Sequence, residues 1–68
     1  MMGKLSMNLD WGGNAAFQDA DWRFEIADIF SKIAEKIENL GGDETEYKKI
    51  LRDSNGNTVG CIFVGVNN

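Results

Sequence analysis

Histidine is absent from this chain. Most general-base, triad and zinc chemistry goes with it. There is one cysteine, Cys61, so no intramolecular disulfide can form. A small secreted domain usually needs such staples. Cys61 lies in an apolar run without a basic neighbour or helix start nearby in sequence, so it reads as structural rather than nucleophilic. Long apolar runs are also missing. The opening segment MMGKLSMNLD does not read as a signal peptide, and nothing reaches the length of a membrane span. The expected compartment is the cytoplasm, with no membrane partner.

Basic residues are scarce where the chain is most charged. Residues 1–46 hold ten Asp and Glu against four Lys and Arg, a net −6. Residues 47–68 hold Lys48, Lys49 and Arg52 against Asp53, a net +2. Phosphate contacts need clustered Lys and Arg, so no direct nucleic-acid partner is expected. A protein partner with a basic surface is permitted, steered by opposite charge. Sixty-eight residues make a single domain, 1–68. A chain this short buries only about 60% of its unfolded surface, leaving a small core.

What is present is clear patterning. Lys4 to Asp10 alternates, with Leu5, Met7 and Leu9 on one face, predicting a half-buried strand over about 4–10. Gly12-Gly13-Asn14 breaks it, and Ala15 to Gln18 reads as loop. Asp19 and Asp21 are both candidate N-caps for a helix over about 22–40. Its apolar stripe is Ile26, Phe30, Ile33, Ile37 and Leu40, widened by Trp22, and Asp28–Lys32 forms a favourable i,i+4 pair. Gly41-Gly42 supplies the expected C-cap. Strands are predicted over about 47–53 and 58–64, joined by a two-residue Asn55-Gly56 type I′ turn that pairs Arg52 with Val59, Ile50 with Cys61 and Lys48 with Phe63. Residues 65–68 read as a frayed tail.

The order β-α-β-β implies an α+β fold: a three-stranded antiparallel sheet, order 2-3-1, with one amphipathic helix packed on one face. The continuous apolar segment Cys61 to Val64 suits a central strand, and Lys48, Lys49 and Arg52 suit a guarded edge. The alternative order sets strand one parallel to strand two. A single helix covers one sheet face. The other hairpin face, either Val59, Cys61 and Phe63 or Tyr47, Leu51 and Ile62, is then left for a homodimer or a partner. Alternatively, Trp11, Phe17 and the loop fold over it.

No constellation in the sequence specifies a metal, a cofactor or an enzyme. Asp53, Asn55 and Asn57 mimic the start of a calcium loop, but Thr58 replaces the required Gly and Val64 the closing Glu. Trp11, Phe17 and Trp22 flank the long loop among Asp10, Asp19, Asp21, Glu25 and Asp28. Within that acidic-aromatic patch the candidate partner-binding surface is Asp10, Asn14, Phe17, Asp19, Asp21, Glu25 and Asp28. Trp22 is the member best suited to the core.

Asn14-Ala15-Ala16-Phe17, the helix with Glu25-Ile26-Ala27 and Ile33-Ala34, and Leu51-Arg52-Asp53 followed by Asn55-Gly56-Asn57-Thr58-Val59-Gly60 together resemble small phage- and prophage-encoded proteins. The resemblance implies a viral origin and the cytoplasm of a host bacterium. It carries over no catalytic residue. In size and charge the chain is similar to anti-CRISPR and other anti-defence inhibitors, an analogy that fold alone does not support. The leading expectation is thus a non-enzymatic inhibitor that occludes a basic or nucleic-acid-binding site on a host or defence protein. The alternative is a structural or assembly module of a phage that self-associates through Val59, Cys61 and Phe63.

Overall fold

A computed structural model describes residues 2–19 and 21–67, with Asp19 described by its backbone. The elements in chain order are β1 (Met2–Leu9), α1 (Ala15–Asp19), α2 (Trp22–Glu38), β2 (Glu46–Arg52) and β3 (Thr58–Asn67). The sheet is three-stranded in the order β1-β3-β2, and both pairings are antiparallel. This is the α+β fold expected from the sequence, with β3 central. The i,i+4 pair is also present, Lys32 Nζ lying 2.9 Å from Asp28.

Four local features differ from the pattern-based reading. First, Ala15–Asp19 is a short helix, begun by the Phe17 N–H donating to the Asn14 carbonyl at 3.1 Å. Ala16 and Phe17 are buried in the core, so burial holds a turn too short to show periodicity. Second, Asn39 rather than a glycine caps α2. Its backbone N–H and its Nδ2 both donate to the Glu35 carbonyl, at 3.2 and 2.9 Å. Gly41 and Gly42 lie beyond the cap and neither has positive φ. Third, β3 runs on through Asn67. Gly65, Val66 and Asn67 pair with Lys4, Gly3 and Met2, so backbone partners on an early-starting β1 order these three residues of the expected tail, and Asn68 lies outside the described residues.

The fourth difference is the hairpin. Gly56 has φ +85° and no described non-glycine residue has positive φ, which excludes a type I′ turn with Asn55 left-handed. Instead the Gly56 N–H donates to the Asp53 carbonyl at 3.0 Å, and the Asp53 N–H to the Asn57 carbonyl at 2.9 Å. This is a three-residue loop closed by a left-handed glycine. Ile50 faces Cys61 and Lys48 faces Phe63, as expected. Arg52, however, pairs with Thr58 while Leu51 pairs with Gly60, leaving Val59 as an extra residue. The bulge breaks the two-residue period. Val59 and Ile62, three apart, are both buried.

The core is Ala16, Phe17, Ile29, Ile33, Leu51, Val59 and Ile62, flanked by Met7, Leu9, Trp11, Ile26, Tyr47 and Val64. It sits toward the hairpin end of the sheet. Trp11 stacks on Phe17, with ring centroids 4.6 Å apart. The molecule is long, 44 × 19 × 17 Å, with a radius of gyration of 13.6 Å. A globular chain of this length has about 11 Å. Much of the apolar stripe consequently stays open. Leu5 (60%), Phe30 (52%) and Trp22 (53%) are exposed, although Leu5 lies on the apolar face of β1, Phe30 on the apolar stripe of α2, and Trp22 is the aromatic best suited by sequence to the core.

Candidate functional site

The acidic loop and helix start are built mainly as internal fastenings. Asp21 is the N-cap of α2, and its Oδ1 accepts from the Arg23 N–H at 3.0 Å. The Arg23 guanidinium grips the same carboxylate, with its Nη2 2.6 Å from Oδ2. That pairing holds the Asp21 carboxyl below the usual carboxylate range and raises the guanidinium of Arg23. Glu25 is half-buried and reaches the hairpin loop. Its Oε1 accepts from the Ser54 hydroxyl at 2.7 Å and from the Ser54 N–H at 3.2 Å. Asp28 pairs with Lys32 and raises the ammonium's pKa.

Asp53 is the hub of this end of the molecule. It is 7% exposed and the one buried charged residue among those described. Its Oδ1 accepts from the N–H groups of Asn55 and Asn57, both at 2.9 Å. Its Oδ2 accepts from Nδ2 of Asn57 and Nδ2 of Asn14, both at 3.3 Å. Burial pushes its carboxyl upward, but the donors together outweigh it and the pKa is lowered. Asn14 thereby ties the β1–α1 loop to the hairpin. The calcium-like spacing Asp53-Asn55-Asn57 resolves as a turn whose acid accepts from its own backbone. Among the described residues no three His, Cys, Asp or Glu side chains converge as a metal site.

The expected partner surface therefore divides. Asp10 is exposed, with Oδ1 accepting from the Gly12 N–H at 3.1 Å. Asn14, Asp21 and Glu25 are committed to internal bonds. Phe17 is 5% exposed and unavailable to a partner. The side chain of Asp19 lies outside the described residues. Asp28 alone is both exposed and on the outside of the helix. The expected self-association face divides too. Val59 is 3% exposed and belongs to the core, because the bulge turns it there. Cys61 is exposed, its Sγ donating to Asn8 Oδ1 at 3.4 Å. Phe63 is half-buried. Its ring folds along the strand over Gly65, where an added Cβ would fall 2.9 Å from the ring, and Lys48 Nζ sits 5.8 Å from its centroid.

One row of residues joins Asp28 to four that the sequence-based surface did not include. Phe24, Asp28, Ser31, Glu35 and Glu38 recur at spacings of four, three, four and three along α2, opposite Ile26, Ile29 and Ile33. All five are exposed. Phe24 is 74% exposed at the head of the row. Glu35 and Glu38 are in no ion pair among the described residues. The signal was legible as an apolar residue off the apolar stripe.

The chain matches no family model, no curated protein and no solved structure. No described helix is long and apolar enough to cross a membrane.

Proposed function

We propose that this chain is a small non-enzymatic binding protein that covers a basic site on a host or defence protein, in the manner of phage anti-defence inhibitors. The observation that carries the reading is the outer face of α2. An aromatic ring in water, Phe24, heads a row of three carboxylates on a rigid element. Aromatic side chains are the common anchors of protein interfaces. A carboxylate row opposite a Lys- or Arg-lined site steers the encounter and orients the docked pair. The sequence-based surface kept Asp28 and lost Phe17, so the working face moves from the loop to the helix.

The test is a variant carrying Phe24→Ala, Glu35→Lys and Glu38→Lys. None of these side chains touches the core, and cations near a helix C-terminus are favourable. Affinity capture from bacterial lysate, followed by titration of the captured protein, should show binding weakened about 100-fold or more. Wild-type affinity should fall with salt. A partner held equally by the variant, which circular dichroism shows to be folded, would refute the reading.

A further inference from the structure

The outer edge of β1 is the strongest unpartnered feature of the fold. In the order β1-β3-β2 both outer strands are edges. β2 is guarded by Lys48, Lys49 and Arg52. β1 is a regular eight-residue strand without proline or bulge, and it pairs with β3 in unbroken register from Met2↔Asn67 to Leu9↔Gly60. Its alternating sequence continues into Asp10.

The free backbone groups can be placed. The Asp10 N–H donates across to the Val59 carbonyl at 2.7 Å. In an antiparallel ladder, alternate residues turn the same way. Asp10, Asn8, Ser6 and Lys4 therefore direct their N–H and C=O groups at β3. Leu9, Met7, Leu5 and Gly3 direct theirs outward. The close approach of Gly60 to the Asn8 carbonyl agrees with this parity.

We infer that this edge is occupied by the β1 edge of a second copy, antiparallel about a two-fold axis at Met7. The segment Lys4-Leu5-Ser6-Met7-Asn8-Leu9-Asp10 is self-complementary in that register. Met7 faces Met7 of the second copy, and Leu5 faces Leu9. Ser6 faces Asn8, and Lys4 faces Asp10. The outward-directed residues then meet one another as hydrogen-bonded pairs. The charge pair forms twice. Lys4 and Asp10 are both exposed and join no ion pair among the described residues.

A second observation fits the same occupant. Ile29 and Lys32 of α2 border one cleft with Lys49 to Asp53 around β2. Phe30 and Ile37 lie roughly a quarter turn from Ile29, on the flank of α2 away from that cleft and so away from β2. Leu5 projects from the same sheet face as Met7 and Ile62. Edge pairing about a two-fold axis puts both helices on one face of a six-stranded sheet. The exposed Leu5, Phe30 and Ile37 then border the second copy rather than water. The outer face of α2 is not used, so this inference stands apart from the proposed function.

Light scattering and sedimentation equilibrium of the full chain over 5–500 µM test it. The wild type should be a dimer at the upper end. Lys4→Asp should raise the dimer dissociation constant at least tenfold, and Lys4→Arg should not. Asp10→Lys should weaken it similarly, and the double variant Lys4→Asp/Asp10→Lys should recover it. Because Asp10 also accepts from Gly12, Leu5→Lys provides an independent arm: a folded monomer is expected. A wild type that stays monomeric at 500 µM overturns the inference and leaves the edge to a foreign strand. Dimers insensitive to Lys4→Asp and Leu5→Lys overturn it in favour of another face.

Discussion

Phe17 separates the structural reading of this molecule from the sequence-based one. As a partner anchor on an exposed loop, it could be truncated with little effect on stability. In the structure it is 5% exposed and stacked on Trp11, with ring planes 7° apart. An aromatic side chain of this kind buries about 150–250 Å². At about 25 cal/mol per Å², that is about 4–6 kcal/mol as an upper bound. Phe→Ala substitutions in cores cost about 3–5 kcal/mol, and a stacked pair adds about 0.5–1.5 kcal/mol. The lower end applies here, because α1 is a five-residue helix and can shift toward the cavity. We expect Phe17→Ala to cost about 3 kcal/mol. Domains of this size hold about 0.05–0.15 kcal/mol per residue, so that loss is a large part of the total. At 4–8 °C per kcal/mol the melting temperature should fall by about 12–24 °C. Urea denaturation followed by tryptophan fluorescence should give the same loss from the shift in midpoint. Phe17→Leu, which keeps most of the volume, should cost less than about 1.5 kcal/mol. A Phe17→Ala protein within 1 kcal/mol of wild type would show that the ring does not hold the core.

Two further predictions concern the hairpin. A Cβ at Gly60 would collide with the carbonyl oxygen of Asn8 and lie 2.9 Å from its carbon and 3.0 Å from the Leu9 Cα, so Gly60→Ala must push β1 and β3 apart. It should cost about 2 kcal/mol or more, read by thermal melts, whereas Gly42→Ala, with open space around it, should be nearly neutral. A wild-type melting temperature for Gly60→Ala would contradict the register at the bulge. Asp53 makes a pH prediction. Its folded pKa lies below the unfolded value of about 3.9, so its contribution is complete above that pH. The contribution is lost as pH falls through the folded value. Asp53→Asn should therefore be less stable at pH 7 and show a shallower loss of stability between about pH 5 and pH 2. An acid limb identical to wild type would mean that this carboxylate is not the hub.

The fold was legible where periodicity carried it and illegible where single residues did. Leu5, Met7 and Leu9 marked β1, and the four-three spacing of Ile26, Phe30, Ile33, Ile37 and Leu40 marked α2. The lysines of β2 and the apolar run of β3 gave the strand order. What escaped detection had no period. Ala16 and Phe17 form a single helical turn held by tertiary burial. Asn39 caps α2 ahead of the glycines. The Val59 bulge is invisible because a two-residue alternation drawn through the turn predicts the opposite face. Its one sequence sign was Gly60 within a strand, where a close backbone approach excludes a side chain. Of the candidate site, the charge was legible and its allocation was not. Composition counts carboxylates, whereas Asp21, Glu25 and Asp53 are defined by the donors they meet.

That allocation explains why the acidic loop is a poor docking surface. A carboxylate committed to a cap or a clamp offers a partner only what remains after its own hydrogen bonds, and recruiting it would break the clamp. Glu25 holds Ser54, Asn14 holds Asp53, and Asp53 holds the turn. Charge reversal there would therefore perturb folding and binding together, and a lost interaction could not be ascribed to either. The row Phe24, Asp28, Glu35 and Glu38 lacks this entanglement. Asp28 has a neighbour on its own helix, and none of the four supports the core. Stability substitutions at Phe17, Gly60 and Asp53 and binding substitutions on the α2 face thus act on separate sets of residues. Sites without shared partners add nearly independently. Adding Glu35→Lys to Phe17→Leu should accordingly leave the melting temperature of Phe17→Leu in place while partner binding weakens. Strong non-additivity between the two would mean that the helix face and the core are one cooperative unit.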